Sequence, residues 1–560
     1  MGRAGALALI AVLLGLSVAG VGALIVTVDE PADSAATAGL EGDPPSLGLE
    51  TCAAEVPSDH ADPSSDELGW YDGIWYDEAI EVDQSDGLDE DELEDVVART
   101  IARWEALRCL SVEEEVPIEV IDRETFQEEQ RETEFDNETR TWENVANRAL
   151  FLVDETEDAV ELQLENRGES VLGYYDIAEA EIVLVSGDGG DVYVDESSLA
   201  HEIGHAVQAQ HFGFDDWGEE TTDARLAELG LVEGDASFTQ RIYEQHCEDG
   251  AWSGACLEPP SESTPSLAHE GLYLLSIYPY SDGAAFVKAL YERDGWSTVD
   301  AAFDDYPLSA KAVTYPERYP EFEPEVPPLE DRSNDDWTLL ESSQGRTADR
   351  LGEPAWFTAF AYTALNDDVP DVISRFALAN QGEDAQMDPY EYSHPYTDGW
   401  VGDRFLAYTP AGPEADTRGP GAYAGAIAFE DADEAATFLE GYGELLAAHG
   451  GEAHPELTAP DGGLYRIDEG EPYAGAYWFA RDGATVRLVH APSVDELTAV
   501  NDDVAVVEAT PTPTPTATST ATAAPSPTAT DTTTPEGQPG PGLGLAAVVL
   551  ALAALALRRR

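Results

Sequence analysis

Apolar residues recur at helical spacing over several long stretches of the chain and at strand spacing over several short ones. Asp89 to Leu110 reads as an amphipathic helix, Arg123 to Leu152 as mostly helix, and helical patterns return at Thr222 to Gln245, Leu267 to Arg293 and Trp356 to Leu365. Strands are predicted at Val116 to Ile121 and Ala180 to Val185. They return near the end at Ala422 to Phe429, Leu464 to Ile467, Ala474 to Ala480 and Ala484 to His490, with Glu430 to His449 as a helix among them. The order predicts an α+β chain, with a larger domain over 70–395 and a smaller α+β domain over 396–508. An acidic segment, 29–69, precedes them. Tyr306 to Pro328 is a Pro/Tyr-rich connection whose Tyr315, Tyr319 and Phe322 read as packing residues.

Both ends depart from this pattern. Residues 1–28 carry one apolar run after Arg3, with small residues near Ala19 to Ala23, and read as a signal peptide or an N-terminal anchor. Residues 509–538 hold a Thr/Pro/Ala/Ser tract that cannot pack a core and reads as an extended stalk. Residues 539–560 run from Pro539-Gly-Pro-Gly-Leu543 through an apolar stretch to Arg558-Arg-Arg560, a sorting signal or membrane segment.

Charge changes the picture of the surroundings. The 560 residues include 114 acidic against 27 basic ones, a net charge of −87, and Lys288 and Lys311 are the only lysines. With 43% hydrophobic residues the chain still builds cores, so the acid is a solvated surface rather than a sign of disorder. Such a surface suits molar salt, where the Debye length is about 3 Å, and it excludes nucleic acid as a partner. Cys52, Cys109, Cys247 and Cys256 fit an exported protein. Three pairings are possible; Cys247 and Cys256 bound a short Gly/Trp-rich loop, which favours pairing them and, by elimination, Cys52 with Cys109. Asn137-Glu-Thr139 is an N-glycosylation sequon.

The candidate chemistry lies in Ser197-Ser-Leu-Ala-His201-Glu202-Ile-Gly-His205-Ala-Val-Gln208, an HExxH sequence in an uncharged frame. On a helix, positions four apart differ by about 40° in azimuth, so His201 and His205 share a face and can reach one Zn²⁺. Glu202 borders that ion without ligating it, placed to take a proton from a water the metal acidifies. A third ligand is required. His211 gives the spacing of the metzincin pattern HExxHxxGxxH, but Gln208 stands where that pattern turns on a glycine, and a continuing helix puts His211 about 120° off the ligand face. Glu233, in Leu229-Gly-Leu-Val-Glu233-Gly234-Asp-Ala, is the preferred candidate, flanked by apolar residues on the next helical stretch, with Glu228 a lesser substitute.

The placing of Glu233 resembles the gluzincin arrangement. Together with Leu172-Gly-Tyr-Tyr-Asp, Glu181-Ile-Val-Leu-Val185, Pro316-Glu-Arg-Tyr319 and Gly399-Trp-Val-Gly-Asp-Arg404, it makes the chain resemble haloarchaeal surface proteins with a gluzincin-type metallopeptidase signature. The tail is similar to the tripartite signal read by archaeosortase-type processing enzymes, with Pro541-Gly542-Leu543 where the pattern has Pro-Gly-Phe. The resemblance implies a gluzincin-like zinc-metallopeptidase domain acting on a peptide or protein substrate. It also implies export, a lipid or transmembrane anchor at the cell surface, and an edge strand at Ala180 to Val185 that captures an extended peptide. Such an enzyme needs an oxyanion stabiliser, for which Tyr243, His246 and Tyr174 are candidates. The competing reading is a non-catalytic cell-envelope protein that keeps a relict zinc site.

Overall fold

The computed structural model describes residues 51–508, apart from 66, 133–134, 187–191, 215–220, 259–266, 342–345, 383–384, 386, 413–418 and 420. The segments expected at 1–28, 509–538 and 539–560, and most of 29–69, lie outside the described residues. The fold is mixed α+β, a helical region followed by an antiparallel sheet.

A short hairpin, β1 Trp70–Tyr71 and β2 Ile74–Trp75, leads into helix α1, Glu90–Arg108. Asp89 and Glu92 form a capping box that satisfies the first free N–H groups of α1. Next come β3 Ile118–Asp122, α2 Arg123–Glu132, α3 Asn137–Ala149, α4 Ala159–Ser170, β4 Gly173–Asp176 and β5 Glu181–Ser186. The helical stretch expected over Arg123 to Leu152 is thus two helices, and α4 has no counterpart among the expected elements.

β5 is not an edge strand. Its two sides are taken by β3, in parallel register Ile118↔Ile182 to Asp122↔Ser186, and by β4, antiparallel with Gly173↔Leu184. The order β3-β5-β4 buries β5 in the middle, because β3 arrives from more than fifty residues upstream to pair with it. The edge nearer the HExxH helix belongs to β4.

That helix is α5, Glu196–His211, whose N-cap Asp195 accepts from the Ser198 N–H. It packs on α6, Thr222–Glu248, which packs in turn on α7, Glu270–Asp294. α6 and α7 meet backbone to backbone: a Cβ on Gly234 would collide with the Gly283 carbonyl, and one on Gly283 with the Gly230 carbonyl. Only glycine lets the two axes approach that closely. Helices α8 Trp296–Ala302, α9 Ala310–Thr314 and, after β6 Trp337–Leu339, α10 Glu353–Leu365 complete the helical region.

The remaining elements are β7 Trp400–Pro410, β8 Ala422–Phe429, α11 Ala432–Ala448, β9 Glu452–Ala453, β10 Leu457–Thr458, β11 Gly462–Ile467, β12 Gly475–Asp482, β13 Thr485–Ala491, α12 Leu497–Val500 and β14 Val507–Glu508. Seven strands make one sheet in the order β6-β7-β8-β13-β12-β11-β9. Every residue of β8 is buried, as its unbroken run of small and apolar side chains requires of a strand covered on both faces. α11 lays Phe438, Tyr442, Leu445 and Leu446 against one face. α12 closes the other with Leu497 and Val500.

One hydrophobic core runs from Leu88, just before α1, to Leu488 on β13. Phe151, just beyond α3, takes part in the join. Its ring stacks on His449 at 4.9 Å and Tyr477 at 5.6 Å, and its carbonyl accepts from the Tyr473 hydroxyl at 2.9 Å. Disulfides link Cys52 to Cys109 and Cys247 to Cys256, the pairings expected, with Cα separations of 5.3 and 5.7 Å. Asn137 is exposed at the start of α3. Among the described residues no helix is long and apolar enough to cross a membrane.

Candidate metal centre

α5 brings His201 and His205 to one face, and α6 sets Glu233 opposite them. The four expected site residues are deeply buried: His201 and Glu202 are 1% exposed, His205 2% and Glu233 0%. Gly204 permits the approach, since the space its Cβ would occupy is bounded at 3.4 Å by Ala236 of α6 and by the Trp104 ring.

Three donor atoms converge. The Nε2 atoms of His201 and His205 are 3.1 Å apart, and each is 3.2 Å from Glu233 Oε2. A tetrahedral zinc with bonds of about 2.0–2.1 Å requires its ligand atoms roughly 3.3–3.4 Å from one another, so the triangle has the size such an ion needs. The donor set, two imidazoles and a carboxylate, is also that of a catalytic zinc with one position left open. Among the described residues this is the group of His, Cys, Asp and Glu side chains gathered closely enough to hold a metal.

With one another the same atoms form buried ion pairs, Glu233 against both imidazoles. Burial alone would depress His205, but the Glu233 carboxylate reverses this and holds it up at about 9. Burial opposes the Glu233 charge in the same way, and the two imidazoles bring it down to about 2.

The orientation of His205 is set by Gln208, one turn on. Gln208 Nε2 donates to Val232 O and to Asp235 Oδ2, both at 3.0 Å, which uses both of its hydrogens. Its Oε1 therefore faces His205 Nδ1, 3.0 Å away, and accepts from an N–H there. Nε2 is left as the metal-facing nitrogen. Asp235 in turn accepts from Arg108 Nε at 2.7 Å, and Arg108 also reaches Asp300 at 2.7 Å. In the sequence Gln208 stands out only as a departure from the metzincin pattern. Its spacing of three from His205 is the signal that it could serve the imidazole.

Glu202 is poised differently. Neither of its carboxylate oxygens has a hydrogen-bond partner among the described residues. A Cβ on Gly173 of β4 would sit 3.8 Å from Glu202 Cγ, which places the β4 backbone beside it.

The alternatives fall elsewhere. His211 Nε2 contacts Ser111 O at 2.7 Å and serves the end of α5. Glu228 is not part of the gathered group. Of the oxyanion candidates, Tyr243 donates to Glu196 Oε1 at 2.6 Å in a cluster with Arg99 and Arg103, and His246 bonds Ile242 O at 2.9 Å and stacks on Trp252. Both are committed. Tyr174, on β4, lies beneath the Arg167 guanidinium, with 5.8 Å from Cζ to the ring centroid, and burial pushes its hydroxyl up to about 12. Two neighbours of the site carry no sequence signal. Arg167 of α4 is one, and Tyr280 of α7, stacked on His201 at 5.9 Å, is the other.

Fold and site together define an α+β protein with a buried His-His-Glu group able to hold a metal ion. A family model described as a domain of unknown function (DUF8575) matches residues 339–501, from the end of β6 through α12. It therefore covers α10 and the sheet apart from most of β6, and not the His-His-Glu group. No curated protein and no solved structure matches the chain.

Proposed function

We propose that the chain is a zinc-dependent peptidase of gluzincin type, held at the cell surface of a salt-adapted organism. The observation that carries the reading is the pairing of a zinc-sized triangle, His201, His205 and Glu233, with an adjacent carboxylate, Glu202, that has no other hydrogen-bonding task. When bound, the ion supplies a Lewis acid that polarises a carbonyl and lowers the pKa of water to about 7. Glu202 takes the proton of the attacking water and delivers it to the leaving amine. Gln208 keeps the His205 ring fixed while this happens, and burial of the group keeps bulk water away.

A peptide substrate is favoured by β4. It is the end strand in the order β3-β5-β4, and its Gly173 borders Glu202, so an extended chain lying along β4 runs past the carboxylate. The strand-capture role expected of β5 thus passes to β4. Export is supported by the two disulfides. Anchorage, and processing of the tail by an archaeosortase-type enzyme, rest on the sequence of residues 539–560 and belong to the same proposal.

The test is proteolysis in molar salt by wild type and by Glu202→Gln. Cleavage of an unfolded protein is expected from the wild type and is lost in the variant, while both keep their zinc. Equal cleavage by the two would sink the reading. The deep burial of all three ligands, at most 2% exposed, favours a second reading in which the ion only stabilises a non-catalytic envelope protein. Zinc that stabilises the fold but binds no substrate analogue would support it.

A further inference from the structure

The hydrogen bonds behind His205 all run in one direction, and the group that fixes this direction lies on neither ligand helix. We propose that Arg108, at the end of α1, is a positioning residue for the metal: through Asp235 and Gln208 it sets which nitrogen of His205 is left to take the ion. The inference rests on the zinc site of the reading above, not on peptide hydrolysis, and it adds a device that the HExxH pattern does not contain.

Each link has a defined donor and acceptor. A guanidinium can only donate. Arg108 Nε donates to Asp235 Oδ1 at 2.7 Å, and the other oxygen of that carboxylate accepts from Gln208 Nε2 at 3.0 Å. The second hydrogen of the amide goes to Val232 O, so its oxygen is turned to His205 Nδ1, which carries the proton. Nε2 of His205 keeps its lone pair, 3.2 Å from Glu233 Oε2. A donor-only group at one end thus dictates a bare nitrogen at the other. The amide is nearly symmetric in shape, and reversed it would present an N–H to Nδ1 and move the imidazole proton onto the nitrogen the metal needs.

The chain of bonds is held from three elements. Arg108, Asp235, Gln208 and His205 are each buried. The guanidinium is also gripped from α8, where Trp296 and Asp300 stand one turn apart. Asp300 Oδ1 accepts from Arg108 Nη2 at 2.7 Å, and Arg108 Cζ lies 4.4 Å from the Trp296 ring centroid. Trp296 Nε1 donates in turn to Leu107 O at 2.9 Å, which ties α8 to the last turn of α1. The Asp300 side chain is 36% exposed, so the pair that stays dry is Arg108 with Asp235, one charge against one. His201 has no such support: its Nδ1 has no hydrogen-bond partner among the described residues. Orientation of the ligand set is therefore concentrated on His205.

The experiment uses the exported chain in molar potassium chloride, as wild type, Asp235→Asn, Asp235→Ala, Arg108→Lys and Arg108→Gln. Zinc affinity by chelator competition is measured beside the visible spectrum of the Co²⁺-loaded site and the urea midpoint. Asp235→Asn keeps the shape and adds a donor. Its oxygen stays with the charged Arg108, the stronger bond, and its N–H turns on Gln208, where only an acceptor fits. Zinc affinity is expected to fall about 10–100-fold in Asp235→Asn, with a changed cobalt spectrum, and to fall less in Asp235→Ala, although alanine loses more packing and has the lower midpoint. Arg108→Lys, still donor-only, is expected to hold zinc more tightly than Arg108→Gln, which can turn either end to Asp235. Wild-type affinity in Asp235→Asn overturns the proposal, and so do affinities that merely follow the midpoints, with alanine worse than asparagine. If Asp235→Asn does not fold, equal affinity in the two Arg108 variants overturns it. The order of affinities is read whether or not the protein cleaves peptides, so failure of the peptidase reading leaves the test standing, whereas a wild type that takes up no zinc overturns both.

Discussion

Gln208 Oε1 and His205 Nδ1, three residues apart on one helix, lie 3.0 Å from each other, and the contact settles which imidazole nitrogen faces Glu233. The amide cannot reverse without giving up its bonds to Val232 O and Asp235. Gln208→Ala is therefore expected to weaken zinc binding by about 10–100-fold with the fold intact. Competition against a chromogenic chelator measures it, and an unchanged affinity would remove Gln208 from the site.

Glu233 owes its position to the close crossing of α6 and α7. Adding one methyl in Gly234→Ala drives the helices apart at the Gly283 carbonyl. The expected cost is about 1–3 kcal/mol of stability, accompanied by weaker zinc binding, because the residue next in sequence is one of the three that could hold the ion. A denaturant midpoint and a zinc titration on the same sample would show whether the two losses travel together.

Glu196, wholly buried at the first turn of α5, accepts from Arg99, Arg103, Tyr243 and the Leu257 N–H. Glu196→Ala leaves two guanidinium groups facing each other without their counter-charge. A loss of about 3–5 kcal/mol is expected in urea unfolding at constant molar salt. A stability equal to wild type would mean that the start of α5 is held by something else.

Acid is expected to loosen the sheet. Burial pushes His490 down from 6.5 to about 3, and His449 to about 4. The unfolded chain takes up these protons near pH 6.5 while the folded one does not, so the contribution of each residue is complete above that pH. It is lost as pH falls towards the folded value, at up to about 1.4 kcal/mol per unit per residue. His490→Gln should flatten the fall in stability between pH 6.5 and 3, followed by chemical denaturation at each pH. A slope as steep as that of wild type would discount His490.

The net charge of −87 makes stability depend on salt. Dilution from about 1 M to 0.01 M lengthens the Debye length from about 3 to 30 Å and exposes the acidic surface to its own repulsion. A thermal midpoint that drops steeply on dilution is expected. A midpoint that stays level would refute the salt adaptation.

The site is legible where its chemistry is written locally. His201, Glu202 and His205 follow from helical spacing, and Glu233 from a carboxylate set among apolar neighbours. The packing of Arg167 on Tyr174 is not legible, because it depends on a meeting of α4 with β4 that no local pattern encodes. The helix α4 itself reads poorly: Val160, Leu162 and Leu164 alternate as in a strand, and Gly168 interrupts its last turn. β7 escapes the pattern for a related reason. It carries Gly402 and the buried Asp403 where a strand should show apolar alternation. Asp403 is accommodated by donors from Leu351, Gly352 and Trp400, and the register slips between Trp400 and Gly402. The order β3-β5-β4 shows the same limit, since spacing locates strands without ranking them across a sheet.

Phe151 lies far outside the stretch matched by the family model, yet its ring fills a socket built by His449, Tyr473 and Tyr477 within that stretch. A fragment cut at the boundaries of that stretch would leave the aromatic socket open to water, with Phe151 left behind on the discarded piece.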